Sequence, residues 1–460
     1  SLCNFTKNPM PDILNRSHLE NIAKGLLLLQ IFLITWLCSG TRVEHLIPMF
    51  IVSFLLYTFI TITKLPVNKT PFEKTLFISS ILFILLALFQ YANPSAEVVV
   101  EEKFTYIKNL NYIEFLPTSV KAEFHRGNPL FSLCVLLTAF LTTISALALF
   151  NDRNFAKTAI ATFALNTTAM GGFAIFQKLS GFASPYNLFD STTTYYGTFF
   201  LSNAAGAFLN MGMAASIGGF AIYVKKSGAT YRLISASYAL CIFITGFSAY
   251  YSGSRGAQII AIAIFSLFIF YVASTTLRNI LNIKIFAWIF TILIITVASA
   301  AILTSNIEGK ISGDIKYSFS GRAEFYKAGI KILGEHPILG IGGECSRYFL
   351  PKEIMPAKDA KNSPLYIPER PHSDILEYAM EYGITGISIL AICGLAWIYS
   401  LYKKIKYCTF SNFVLAAGAL SCLLNGSFDM ELHITSTMVA FGLMCSWSLV
   451  NFKEARHEIR

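Results

Sequence analysis

Arg255, Arg322 and His372 are the residues whose types and surroundings could do chemistry in this chain. Arg255 sits in "SGSRGA", flanked by Gly253 and Gly256 at the junction of two apolar runs. Nearby glycines leave its guanidinium and the local backbone N–H groups open to an anion. Arg322 lies in "FSGRAEFYKAGIK", and His372 in "ERPHSDILEYAMEYG", at the mouth of another apolar run. Two guanidiniums match the paired oxygens of a diphosphate in a way that ammonium groups do not. A histidine, which titrates near ~6.5 when unperturbed, can take a proton at neutral pH. Each residue also has a plainer reading. Arg255 alone could be a topological or snorkelling cation, Arg322 with Lys327 and Lys331 a solvated helix face, and His372 a structural imidazole. What combines them is that all three are read onto the same side of a membrane.

The elements that must position them lie in the only long polar passage, residues 305–382. Within it, 320–334 has a helix signature: Ser320 as N-cap, Glu324 in the first turn, Gly334 at C′, and Pro337 forbidding continuation. Arg322, Tyr326 and Ile330 recur at i, i+4 and i+8, so they share a face. The turn "GIGG" (340–343) follows, then a connection through Pro351, Pro356, Pro364 and Pro368 that closes on His372.

The rest of the chain reads as membrane. Of 460 residues, 54% are apolar and only 13% charged, too few charges to cover a soluble surface, where about 25% is usual. The apolar runs are near-continuous rather than alternating, which excludes a β-barrel and gives an all-α polytopic membrane protein. About twelve spans are expected: 21–38, 46–62, 75–91, 130–150, 158–177, 199–224, 233–250, 257–273, 285–303, 374–402, 410–425 and 434–452. Cations concentrate in one set of loops, at Lys64, Lys69 and Lys74; Arg153 and Lys157; Lys225, Lys226 and Arg232; Arg278 and Lys284; Lys403, Lys404 and Lys406; and the tail Lys453, Arg456 and Arg460. That asymmetry puts both termini in the cytoplasm and the loops 39–45, 92–128, 178–198, 251–256, 305–371 and 426–433 outside. The expected organisation is a single transmembrane domain, 1–460, with a large outer loop at 305–371 and a second at 92–128.

Other classes lose ground on the same residues. The net charge of +10 is spread through span-flanking loops, so it is not a nucleic-acid signal. Nine cysteines include no C-x-x-C pair, which supports neither a zinc site nor a disulfide framework. The outer loops hold no Asp-x-Asp; Asp314, Asp359, Asp374 and Asp429 are scattered, so no metal ligand set and no cofactor are assigned. A lipid-glycan transporter needs charge within the spans and paired repeats with broken helices, and the spans read as almost uncharged. The chain opens at "SLCNF", and no segment is read as a cleaved signal.

"SGSRGA", "FSGRAEFYKAGIKILGEHPILGIGGE", "PHSDILEYAMEYGITG" and "GSFDMELHI" together resemble, in order and spacing, the O-antigen ligase and polymerase superfamily. The resemblance runs over about 193–437 and implies a membrane glycosyltransferase of the metal-independent, inverting GT-C type. It further implies a bacterial inner-membrane location, a periplasmic site, an undecaprenyl-diphosphate-linked glycan as donor and a glycan or lipid A-core acceptor. An enzyme on that face has no nucleoside triphosphates, so the activated donor must supply the energy. By the same resemblance His372 is the base, and Arg255 and Arg322 grip the diphosphate. Asn203, Tyr326 and Asp374 are expected beside them in substrate binding. One departure concerns "YYGTFFLSNAAGAF": Asn203 is kept, but Ala204 stands where a histidine is usual. Asp374 and Glu377, one helical turn apart, either orient His372 or cap the span that begins there. Glu335, His336 and Glu344 receive no role. Asp429 follows the family pattern, but it and His433 are read as loop structure. A polymerase, a protein O-oligosaccharyltransferase and a lipid-glycan transporter stand as alternatives to the ligase. The "PHSDIL" segment favours the ligase.

Overall fold

A computed structural model describes residues 16–66, 70–101, 104–181, 195–276, 311–354 and 369–453. The expected span at 285–303 lies outside these residues, as do Lys69, Arg278, Lys284, Pro356, Asp359, Pro364, Pro368, Arg456 and Arg460. Eight helices precede the long polar passage: α1 (Arg16–Trp36), α2 (Val43–Ile62), α3 (Pro71–Ala92), α4 (Pro129–Leu149), α5 (Arg153–Ser180), α6 (Ser202–Tyr223), α7 (Ala229–Tyr251) and α8 (Arg255–Thr276). Within and after it come α9 (Ile311–Glu335), α10 (Ser346–Ile354), α11 (Asp374–Lys403), α12 (Phe410–Gly426) and α13 (Thr435–Ser448). Among the described residues, α1 to α8 and α11 are long and apolar enough to cross a membrane. At 17 and 14 residues, α12 and α13 are shorter than the roughly 20 that a bilayer core asks for.

The bundle packs around α6, whose sequence is mostly alanine, glycine and serine. Small residues let neighbouring backbones approach where no solvent drives helices together. A Cβ on Gly212 would meet Thr167 Oγ1 of α5 at 2.4 Å, and one on Gly206 would meet Ala257 Cβ of α8 at the same distance. The second contact matters for chemistry, because it seats the start of α8 against the start of α6.

Two expectations need correction. The described fold is not all-α. Residues 92–128 carry a three-stranded sheet in the order β2–β1–β3, made of β1 (Pro94–Glu101), β2 (Phe104–Asn109) and β3 (Ser119–Lys121). β1 and β2 form an antiparallel hairpin from Ala96↔Asn109 to Glu101↔Phe104, using the β-branched and aromatic residues of "EVVVEEKFTYI". Second, α9 runs through Ser320, which is therefore not its N-cap, and Gly334 lies inside the helix rather than at C′. The reason lies in the sequence: Ile311, Ile315 and Phe319 recur at i, i+4 and i+8, so the helical period starts well before Ser320. The stop before Pro337 is where the sequence places it.

The "GIGG" turn locks into a break in α11. Gly383 has φ +62°, so the helix ladder is interrupted there. Met380 and Glu381 carbonyls, freed from that ladder, accept from Ile341 N and Gly342 N at 2.9 Å each. On the far side, Ile384 N and Thr385 N donate to the carbonyls of Pro337 and Ile338 at 2.9 and 3.2 Å. A Cβ on Gly383 would sit 2.3 Å from the Ile338 oxygen, so only glycine fits this crossing. Below the break, 384–403 is a 20-residue apolar helix of about 30 Å, enough to cross the hydrocarbon. Above it, Asp374, Glu377 and Glu381 are buried, which corrects the reading of an almost uncharged span.

A buried clamp holds the segment that carries His372. Arg370 donates to Glu377 Oε1 at 2.7 Å and to both oxygens of Glu344 at 2.9 and 2.8 Å. Arg347 adds a 2.5 Å contact to Glu344. Burial alone would raise the Glu344 carboxyl, but Arg370 and Arg347 hold it down at about 2. The sheet completes the platform, as Ala96 and Val120 pack with Ile332, Ile341, Leu350 and Met380 in a second small core.

Removing one member of a buried charge cluster strands the others. Glu344→Gln should destabilise the protein by roughly 3–5 kcal/mol, seen as a lower thermal midpoint in detergent. The carboxyl's titration is depressed in the fold, so its contribution is full above the usual glutamate value of ~4.3 and is lost as pH falls towards about 2. The wild-type midpoint should fall through that window by more than the variant's. Equal midpoints at neutral pH would show that the clamp is not holding the loop.

Candidate active site

His372 is placed by what flanks it. Arg370 is clamped two residues before, and Ser373 caps α11 just after, its hydroxyl accepting from Leu376 N at 3.4 Å. Between them His372 has φ +55°, a left-handed conformation that a non-glycine residue keeps only when its surroundings impose it. That turn aims the ring at the loop between α12 and α13. His372 Nδ1 lies 3.2 Å from Asp429 Oδ1, and the ring stacks on Phe325 at 5.9 Å between centroids. With Nδ1–H donating to the carboxylate, Nε2 keeps its lone pair.

Asp429 joins four elements through one side chain. Its Oδ1 takes His372 and also Met430 N at 3.1 Å. Its Oδ2 accepts a hydrogen bond from Asn203 Nδ2, on the first turn of α6. Arg322 of α9 approaches the same oxygen at 3.7 Å. Tyr326, one turn after Arg322, donates to the His372 carbonyl at 3.2 Å. The i, i+4 spacing read from the sequence therefore brings Arg322 to Asp429 and Tyr326 to the histidine segment. Arg322 and His372 remain partly open, with 35% and 21% of their side chains exposed, while Asp429 is buried.

Arg255 stands at the same end of the bundle as the first residue of α8. The "SGS" before it folds as its sequence suggests. Gly253 takes φ +84°, and Ser254 caps α8, its hydroxyl accepting from Ala257 N at 3.3 Å. Gly256 presses on Asn425 at the end of α12. The Arg255 side chain is exposed and has no ion-pair partner among the described residues. A cation at a helix N-terminus faces the positive end of the dipole, so an anion bound there relieves both charges.

Asp374 does not join this group. Its Oδ1 pairs with His433 Nδ1 at 2.8 Å, and its Oδ2 accepts from Leu432 N at 2.8 Å. It is fully buried, and it reaches the site only through its backbone N–H, which donates to the Asp429 carbonyl at 3.0 Å. The imidazole partner is Asp429, not Asp374 or Glu377, and Asp429 and His433 are more than loop structure. Glu431 is buried beside them. Burial first, then Asp429 and Asp374, pushes its carboxyl well above the usual range.

The expectation of no metal ligand set also changes. Glu377, Glu381 and His433 each bring one ligand-type atom to within 4.8 Å of the others, in a buried cluster behind Asp374. Adjoining it, an apolar cavity of about 390 Å³ runs between α3, α4, α11 and α13, lined by Phe72, Trp397, Phe441 and Leu432 and reaching Asp374 and Ile375.

Residues 239–391 match the family described as O-Antigen ligase. None of the curated proteins matches the chain. The matched stretch contains Arg255, Arg322, Tyr326 and His372, while Asn203 and Asp429 fall on either side of it. The segment that holds the two arginines and the histidine is thus similar to an O-antigen ligase domain, in line with the resemblance to the ligase and polymerase superfamily.

Proposed function

We propose that the protein is a glycosyltransferase of the O-antigen ligase type, working on the periplasmic face of a bacterial inner membrane. It moves a glycan from undecaprenyl diphosphate to an acceptor hydroxyl such as one on lipid A-core. The observation that carries this reading is the Asp429 cluster. One buried carboxylate orients His372, anchors Asn203 and holds Arg322, and at the same end of the bundle stands Arg255, which has no ion-pair partner among the described residues.

In the proposed reaction, His372 Nε2 takes the proton of the acceptor hydroxyl as its oxygen attacks the anomeric carbon. A new C–O bond forms on the face opposite the diphosphate, so the configuration inverts. The bond from the anomeric carbon to the diphosphate oxygen breaks, and its electron pair leaves on the phosphate. Arg255 and Arg322 meet the charge that grows there. Fixed donors aimed at developing charge are worth most in such a site. The imidazolium is stabilised by Asp429 until its proton passes to solvent. The 390 Å³ apolar cavity beside α11 supplies a place for the polyprenyl chain. The GT-C class fits a helical membrane core whose reacting groups sit at one end, on the start of α8, on α9 and on the segment before α11. The acceptor rests on the "PHSDIL" segment alone, and a polymerase would use the same donor chemistry.

The roles separate in binding and turnover. Arg255→Lys and Arg322→Lys keep the charge but lose the fork, and each should slow single-turnover transfer by roughly 10²–10³-fold. His372→Ala should bind the lipid-linked donor within a few-fold of wild type while transfer falls by about 10²–10⁴-fold. Loss of donor binding in His372→Ala, beside normal transfer by Arg255→Lys, would invert the assignment.

The two guanidiniums do the work that a metal does in other diphosphate chemistry. Adding Mg²⁺ or Mn²⁺ should leave the transfer rate unchanged, and so should chelator added at the start of the assay. A rate that collapses at once in chelator and returns with magnesium would place a metal on the diphosphate instead.

A further inference from the structure

The strongest unassigned feature is the cluster behind the active site. Four atoms there have no hydrogen-bond partner although all are buried: His433 Nε2, Glu377 Oε2 and both oxygens of Glu381. Glu377 and Glu381 have no exposed surface, and His433 has 7%. The His433 tautomer follows from its neighbour. Nδ1–H donates to Asp374 Oδ1 at 2.8 Å, which leaves the Nε2 lone pair directed at Glu381 Oε2, 3.7 Å away. Lone pairs therefore meet lone pairs, with no donor between them. Native interiors rarely leave such atoms orphaned, because each costs its full desolvation.

The charge count points the same way. With its carboxyls ionised and His433 neutral, the connected network sets Arg347 and Arg370 (+2) against Glu344, Glu377, Glu381 and Asp374 (−4), a deficit of two. We propose that Glu377, Glu381 and His433 bind one divalent transition-metal ion, zinc by ligand chemistry, that holds the start of α11 to the loop before α13. One imidazole nitrogen and two carboxylate oxygens suit zinc, and the carboxylate of Asp374 on the far nitrogen is the usual support for a metal-bound histidine. Bonds of about 2.0–2.2 Å require the three ligand atoms to draw together by roughly an ångström from their present span. The ion removes the charge deficit. Its role is positional. Asp374 ties it to the Asp429 backbone at 3.0 Å, and Tyr378 stacks over His433 at 4.1 Å and closes the site. It touches neither arginine of the proposed diphosphate grip, so brief chelation leaves transfer intact, and the inference stands whichever acceptor the enzyme uses.

A proton is the rival occupant. Burial opposes an imidazolium at His433, but Glu377, Asp374 and Glu381 favour it strongly enough to raise its titration well above the ordinary range. Elemental analysis of the full chain, purified in detergent without chelator, decides between them. The expected result is about one zinc per chain, at least tenfold less in Glu381→Gln and His433→Asn, and undiminished in Glu431→Gln. After prolonged chelation, added Zn²⁺ should raise the wild-type thermal midpoint and leave that of Glu381→Gln unmoved. Should both ligand variants fail to fold, Co²⁺ loaded into chelated wild type should give the visible absorption of a low-symmetry nitrogen–oxygen site. Wild-type protein of normal midpoint that carries no ion, takes up no Co²⁺ and ignores Zn²⁺ would overturn the proposal in favour of the proton. Zinc retained in both variants would place the ion elsewhere and overturn it equally.

Discussion

The carboxylate of Asp429 is the interaction on which the site depends. Its two oxygens gather a histidine from the start of α11, an asparagine from α6 and an arginine from α9. No two of these elements are neighbours in sequence. A buried carboxylate cannot stay charged without such partners, and the partners cannot keep their positions without it. Orientation of His372, accessibility of its Nε2 and the distance of Arg322 are therefore one structural fact rather than three.

Behind Asp429 lies a second layer whose task is rigidity. The break at Gly383 lets the "GIGG" turn pair with α11, and the Arg370–Glu344–Glu377 clamp then fixes the strained residue that carries the imidazole. Irregular backbone at this depth is tolerated only where protein groups satisfy it, which the four backbone bonds from 337–342 do. The small sheet of 94–121, through Ala96 and Val120, and α9, through Ala328 and Ile332, pack against the same turn. Polar groups are thus spent on holding loops still at the end of the bundle, while lipid-facing helices need little besides apolar surface. Ile384, Ile392, Leu395 and Ile398 of α11 are exposed for that reason.

What could be read in the sequence follows the range of the interaction. The nine long apolar helices among the described residues were legible because a 20-residue apolar run is local and its length has few other meanings. Arg322 and Tyr326 were legible as a pair because i, i+4 spacing fixes a shared face. The partner of His372 was not, since Asp429 lies 57 positions away and nothing local marks the contact. Asp374, only two residues from His372, looked like the natural partner. The left-handed turn at His372 aims the two side chains apart, and Asp374 meets His433 instead. Ser320 misled because a good capping residue sits inside a stripe that begins earlier. The hairpin in "EVVVEEKFTYI" was missed because its strands mix charges with apolar residues, so its alternation is weak.

If Asp429 acts through His372, a double-mutant cycle in single-turnover transfer shows it. Asp429→Asn keeps the shape and loses the charge that orients the ring, and alone it should slow transfer by roughly 10²-fold or more. Residues that work as a unit do not lose activity independently. Asp429→Asn combined with His372→Ala should therefore be no slower than His372→Ala alone, at equal expression and equal donor binding. Losses that multiply across the two positions would contradict the claim and leave Asp429 as a separate contributor, with the imidazole oriented by something else.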